Sequence, residues 1–338
     1  MARIQRLIFL FILCFCRYAL PAQDVHYSQF FHAPLSLNPA LAGAFDEDQR
    51  FSAVYRNQWA SVPVPYETFL GAYDQKVFLP WLGDNWLGLG GAFTYDQAGD
   101  ASLNWLQLAL HGAFNWRVTE EHVLSTGAQL RFGQRALEPG QFSFADQFSD
   151  NVFDPSAPTA ESFSSTASGY FSLGAGVNWF YAPAQTRTRA WAGLAAAHLN
   201  KPSISFLNDG SIKLPMLFNI HLSGVVEVGE RWDVVANLLG QRQGAYQEVV
   251  GMAGGRYHLS LEKGRALALQ LGAGYRLSDA LIAYMSVFYK NWRFGLSYDV
   301  NTSPFIAATN RNGGPEFSVQ YVISHVKPPK EFKACPIF

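Results

Sequence analysis

The sequence predicts an all-β chain, a transmembrane antiparallel β-barrel of about fourteen strands preceded by a short plug-like segment. Three observations carry that prediction: strict two-face alternation in many segments, an export signal at the start, and a composition poor in charge and rich in aromatics. Residues 291–300 show the alternation without exception. Asn291, Arg293, Gly295, Ser297 and Asp299 fall on one face, and Trp292, Phe294, Leu296, Tyr298 and Val300 on the other. Side chains alternate across a strand with period two, so one face is polar or small and the other wholly apolar. The 338 residues carry 15% charged side chains, against roughly 25% in ordinary soluble proteins, with 27 Phe, 15 Tyr, 9 Trp and 29 Gly. Apolar faces on that scale, in an exported chain, point to lipid outside and water or a plug inside.

The export signal occupies residues 1–22. Arg3 and Arg6 precede an apolar run over residues 7–16, with a cleavage site expected between Ala22 and Gln23. Leu20 is larger than the usual residue three before the mature terminus. The apolar run is too short to span as a helix, and no later stretch of about 18 apolar residues follows. Export without a spanning helix predicts the outer membrane. Removing the signal removes Cys14 and Cys16 and leaves Cys335, so neither an intrachain disulfide nor a cysteine metal site is expected.

Residues 23–45 lack clean alternation. They contain Asn38-Pro39-Ala40, which reads as an N-cap followed by Pro at the first helical position, suiting a plug or a periplasmic cap. The barrel is expected over residues 46–326, with strands starting near Arg50, Glu67, Trp86, Ser102, Val123, Gly169, Thr188, Met216, Trp232, Tyr246, Ala266, Leu281, Trp292 and Pro315. An open sheet in lipid would leave backbone groups unpaired at several kcal/mol each, so closure is expected. A parity test accompanies the tally. With a periplasmic N-terminus the odd connections face outward and should be the longer ones. The three longest, residues 138–168, 200–215 and 301–314, are the fifth, seventh and thirteenth. The first of these, rich in Ser, Asp and Phe, is read as a constriction, a binding surface or a disordered outer loop. Residues 327–338 form a basic, Pro-containing periplasmic tail, in which Lys333, Cys335 and Pro336 are candidate partner contacts.

The sequence offers little for catalysis. Eight His are scattered without metal-ligand spacing, no G-x-S-x-G elbow appears, and the Gly-rich pieces around Gly88, Gly174 and Gly272 lack a following helix or P-loop Lys. No cofactor is expected. Glycine on an inward face is better read as room for a neighbouring group. A net charge of −1 and the absence of a basic stripe argue against nucleic acid. Candidate functional residues are the charges on polar faces: Arg56, Arg117, Arg131, Arg135, Arg276, Arg293, Asp233, Asp299 and Glu316. Charges at membrane depth must face the lumen and pair or sit in water. They are expected to form a structural lumen network, the alternative being a charged path for a solute or a surface for a partner peptide.

Several stretches resemble one family. Q-D-V-H-Y-S-Q-F from Gln23, L-S-L-N-P-A-L-A-G from Leu35 and Y-R-N-Q-W from Tyr55 resemble the start of PorP/SprF-type membrane proteins of the type IX secretion system. F-G-L-S-Y-D-V-N-T-S from Phe294, G-G-P-E-F-S-V-Q-Y from Gly313 and the terminal K-A-C-P-I-F continue the match in order. The resemblance implies a Bacteroidetes outer-membrane barrel that is not an enzyme. It implies support for secretion or surface anchoring of an adhesin or related cargo through the cargo's C-terminal domain, or association with other secretion components, and a link to gliding motility. Val25-His26-Tyr27 departs from the more usual Pro-x-Phe, which marks a divergent paralogue. The alternative function is an outer-membrane channel for small solutes gated by the N-terminal segment.

Overall fold

The computed structural model describes residues 24–324 apart from 60–65, 99–102, 139–141, 143, 150–151, 155, 160–164, 208, 263 and 305. The expectations for residues 1–22 and 327–338, including Lys333, Cys335 and Pro336, concern residues outside those described. The strands in chain order are β1 (Gln49–Gln58), β2 (Tyr66–Val77), β3 (Trp86–Ala98), β4 (Leu103–Arg117), β5 (His122–Ala136), β6 (Phe148–Ser149), β7 (Val152–Phe153), β8 (Ala167–Tyr181), β9 (Arg189–Ala197), β10 (Leu217–Glu227), β11 (Trp232–Gln243), β12 (Tyr246–Ser260), β13 (Leu267–Arg276), β14 (Ala280–Tyr289), β15 (Trp292–Asn301) and β16 (Asn312–Ile323). Fourteen of them close a single antiparallel barrel, and β6 and β7 pair separately inside one long connection. Closure runs through β1, which pairs with β16 from Gln49↔Ile323 to Arg56↔Glu316 and with β2 on its other side. This is the expected fold class, and it satisfies the backbone without an edge.

The alternation sets which face looks out. Along β4, Leu108, Leu110, Phe114 and Trp116 are exposed, while Gln107, Ala109, His111, Ala113 and Asn115 are buried. In β15, Leu296, Tyr298 and Val300 face out; Ser297 and Asp299 are almost fully covered. The exposed apolar wall is thus the lipid-facing surface, and the covered polar face is luminal. Aromatic pairs sit near strand ends: Trp232 with Tyr257 at 4.8 Å and Trp292 with Tyr321 at 4.6 Å between ring centroids. Rings at that level suit the membrane–water boundary.

The three longest connections follow β5, β9 and β15 and lie at one end, here the loop end; Gly229-Glu230 and Lys290-Asn291 belong to tight turns at the other, the turn end. Residues 24–45 form no strand. They run inside the barrel from the loop end toward the turn end as short helical pieces, Phe30–His32, Pro34–Leu37 and Pro39–Leu41. The largest apolar cluster lies in the lumen, where Phe30, Leu37 and Leu41 pack on Leu239, Val250, Met252, Ile282 and Tyr284 of the wall. The N-terminal segment thus brings this apolar core into a polar lumen, while smaller clusters without it form around Trp105 with Tyr170, Ile204 and Leu214 and around Trp86 with Val123 and Phe180.

Candidate functional site in the barrel lumen

The N-terminal segment is held at three levels. At the loop end, β15, β16, β1 and β13 present Asp299, Glu316, Arg56 and Arg276 to one another and to residues 26–29. Glu316 accepts from the backbone N–H of Ser28 at 2.8 Å and of Gln29 at 2.6 Å. Asp299 accepts from the Ser28 hydroxyl at 2.7 Å, from Arg56 Nη2 at 3.0 Å and from Arg276 Nη1 at 3.0 Å. Arg56 Nη1 donates to the His26 carbonyl at 3.0 Å, and Arg276 Nη2 to Ser28 Oγ at 2.6 Å. These carboxylates and guanidiniums, with Asp279 and Glu248 also against Arg276 at 2.9 and 3.7 Å, pair with one another and also satisfy the backbone of the inserted chain. Such a buried set specifies one arrangement, because removing any member leaves an uncompensated charge. Nearby, Asp24 accepts from Arg131 at 3.0 Å and lies 2.9 Å from His198 Nε2. Burial alone would raise the Asp24 carboxyl; His198 and Arg131 outweigh it and hold it below the usual carboxylate range.

At mid-lumen the Asn38-Pro39-Ala40 motif has the predicted cap. Asn38 Oδ1 accepts from Ala40 N–H at 2.9 Å, at the start of the Pro39–Leu41 turn. Its amide also reaches the wall, donating to the carbonyls of Val177 at 2.9 Å and Leu194 at 3.3 Å. That approach requires glycine. A Cβ on Gly176 would stand 2.1 Å from Asn38 Oδ1, and one on Gly127 would stand 2.4 Å from Ala40 N. The inward glycines make room for the inserted backbone, in line with the bland reading of the Gly-rich strands and not with phosphate binding.

Toward the turn end the segment leaves through a collar of donors. Trp86 Nε1 donates to Gly43 O and Trp191 Nε1 to Ala44 O, each at 2.9 Å. Arg50 pairs with Asp74 at 2.8 Å and also donates to Leu41 O at 3.2 Å. Arg189 meets Asp46 at 2.6 Å, and Arg293 pairs with Glu47. Burial raises the Glu47 carboxyl, but Arg293 beside it brings the net shift downward. Below the segment opens a vestibule of about 360 Å³, lined by Phe31, Phe45, Trp191, Arg256, Phe288 and Arg293 among others. A second cavity of about 30 Å³ lies beside residues 24–27. Such a volume accommodates about one water.

The nine charged residues singled out in the sequence do not form one network. Arg56, Arg276, Asp299 and Glu316 meet at the loop end; Arg131 is linked to Asp24 nearby. Asp233 and Arg293 lie at the turn end, where Asp233 pairs with Arg187 at 2.9 Å and His258 at 2.6 Å. Arg135 and Arg117 stack over the rings of Trp105 at 4.9 Å and Trp86 at 5.5 Å. Arg117 is exposed, because it falls at the end of β4 beyond the covered part of the lumen. Alternation could also have selected Arg50, Asp74 and Arg256. Asp24, Ser28 and Gln29 carry no periodicity and could not have been found that way. Among the described residues, no group of three or more His, Cys, Asp or Glu is placed to hold a metal.

Residues 19–321 match the family model described as "Type IX secretion system membrane protein PorP/SprF". No curated protein sequence matches. Similar solved structures include the Ralstonia pickettii toluene transporter TbuX, 14% identical over 86% of this chain and 93% of that one, with a TM-score of 0.46. A TodX monoaromatic hydrocarbon channel mutant is 12% identical over 87% and 94%, with a TM-score of 0.50. A Pseudomonas aeruginosa FadL homologue is 10% identical over 84% and 92%, with a TM-score of 0.47. At 12% identity the likeness to the TodX structure is one of fold alone.

Proposed function

Since the chain belongs to the PorP/SprF family of type IX secretion system membrane proteins, we propose that it is a non-enzymatic outer-membrane partner protein, closed by its own N-terminal plug. It supports secretion or surface anchoring of an adhesin or related cargo, and through that cargo gliding motility. Residues 1–22 export it, residues 23–45 are the plug, residues 46–326 the wall and residues 327–338 a periplasmic tail. The loop end faces outward and holds the cargo's C-terminal domain, while Lys333, Cys335 and Pro336 of the tail contact other secretion components.

The observation that carries this reading is the fixation of residues 24–47 at loop end, mid-lumen and turn end. Four of the lumen charges that could have formed a solute path are committed to that segment: Arg276 and Asp299 hold Ser28, Glu316 holds Ser28 and Gln29, and Arg56 holds the His26 carbonyl. A barrel so filled serves better as a rigid docking body than as a diffusion channel. Deleting the gene tests this. Loss of a specific cell-surface protein, with small-molecule uptake unchanged, is expected. Intact surface proteins with altered permeability would replace this reading with that of a channel.

A further inference from the structure

The turn-end vestibule has an electrostatic property that the plug does not explain. Five arginines line it: Arg50, Arg187, Arg189, Arg256 and Arg293. Four have carboxylate partners, respectively Asp74, Asp233 with Glu227, Asp46, and Glu47. Arg256 differs. Its Nε and Nη2 both donate to the neutral Oε1 of Gln270, at 3.1 and 2.9 Å, and its guanidinium lies over the Phe288 ring at 4.0 Å. Asp233 stands directly opposite it in the β11–β12 ladder. The Asp233 oxygens contact Arg187 and His258, so Asp233 acts on Arg256 from across the ladder rather than through an ion pair.

A half-covered guanidinium with five donors and a neutral acceptor is a preorganised anion receptor. Phe288 fixes its plane, Gln270 fixes its rotation, and neither neutralises it. The cavity beside it is also lined by the rings of Phe31, Phe45 and Trp191. Its volume of about 360 Å³ falls in the range of small-ligand sites, roughly 300–1,000 Å³. The charge balance selects among anions. Because Arg187 takes two carboxylates, the five arginines face five carboxylates in all and the space has no net surplus charge; with Asp46, Glu47 and Asp233 on its lining it disfavours a phosphate-like dianion, and Arg256 offers its remaining donors to a singly charged group. The side chains of Arg187 and Arg189 are 27% and 21% exposed and that of Asp46 is 47% exposed, so the site opens to solvent at the turn end.

We infer that the vestibule is a binding site for a carboxylate carried on an apolar body, with Arg256 taking the carboxylate and the aromatic wall taking the body. The free C-terminus of a peptide ending in an apolar residue and a short fatty acid share this chemistry. The site is independent of the cargo reading, since it depends on the barrel and the plug alone.

The test uses the full mature chain refolded in detergent and titrated calorimetrically with two probe pairs. N-acetylphenylalanine is compared with its neutral amide, and octanoate with octanol. A saturable single site is expected, with at least one carboxylate binding tenfold or more tighter than its neutral twin. Preference for the first pair assigns a peptide terminus, and preference for the second an acyl chain. Arg256→Gln should weaken binding tenfold or more while heat-modifiable migration on gels is retained. If that variant does not fold, Gln270→Glu supplies the missing negative charge on a wall of unchanged shape and should produce the same loss. Equal binding of charged and neutral probes, no saturable binding, or undiminished affinity in the folded variant would overturn the inference.

Discussion

Asn38 commits every polar atom of its side chain. Its oxygen caps the Pro39–Leu41 turn, and its nitrogen donates to carbonyls on two neighbouring strands, β8 and β9. One residue thus sets the local geometry of the inserted segment and its seat on the wall. Asn38→Ala loses the cap, leaves the buried Ala40 N–H without its acceptor and removes one donor from two wall carbonyls, a cost of about 1–3 kcal/mol. Asn38→Asp keeps the cap acceptor but brings a negative charge against the Val177 and Leu194 carbonyls, so it is expected to be the worse substitution. The measurement is the protease concentration needed to cut within residues 24–45 of the folded barrel. The order should be wild type most resistant, then Ala, then Asp. If Asp proved as resistant as wild type, the donor role assigned to the Asn38 amide would be wrong.

At the scale of elements, β15 separates what alternation reveals from what it hides. Its outward and inward faces were legible in the sequence, as were the barrel's fourteen strands and the shared end of its long connections, because burial on one side imposes a period of two. The occupant of the lumen was less legible: residues 24–45 have no period, and their contacts are scattered along the whole wall, from Arg50 beside Leu41 to Asp299 beside Ser28, 271 positions away. The motifs that suggested the family supply that missing information. Arg56, Ser297, Asp299, Glu316 and Ser318 come from three separate motifs, and all meet Gln29, Ser28 or His26 of a fourth. An arginine at an inward position is therefore not automatically milder than one at an outward position. Leu296→Arg puts charge into lipid and should cost about 2–4 kcal/mol near mid-membrane in a lipid refolding assay. Ser297 is buried and touches Gln29 Nε2 at 3.2 Å, so Ser297→Arg has no open water to enter. It should expel residues 24–29, raising proteolysis there while the wall keeps its heat-modifiable migration. Identical folding defects in the two variants would contradict the face assignment.

For the whole molecule, a wall and a separate inserted segment share one set of polar contacts, so closure and stability are coupled. The loop-end charges compensate one another and the backbone of Ser28 and Gln29; without the segment, Asp299 and Glu316 lose the N–H and hydroxyl donors that help keep them buried. The wall itself does not depend on those contacts, since each of its fourteen strands pairs with two neighbours. A barrel lacking residues 24–45 is therefore expected to insert and to close its sheet, but to hold a hydrated, charged lumen. Reconstituted in planar bilayers, the intact chain should be silent to small ions, and the deletion should give discrete conductance steps that vary with salt. Adding residues 24–45 as a peptide should reduce those steps, because its partners on the wall remain in place. Conductance in the intact chain equal to that of the deletion would mean that the segment does not seal the lumen, and the docking-body reading would lose its support.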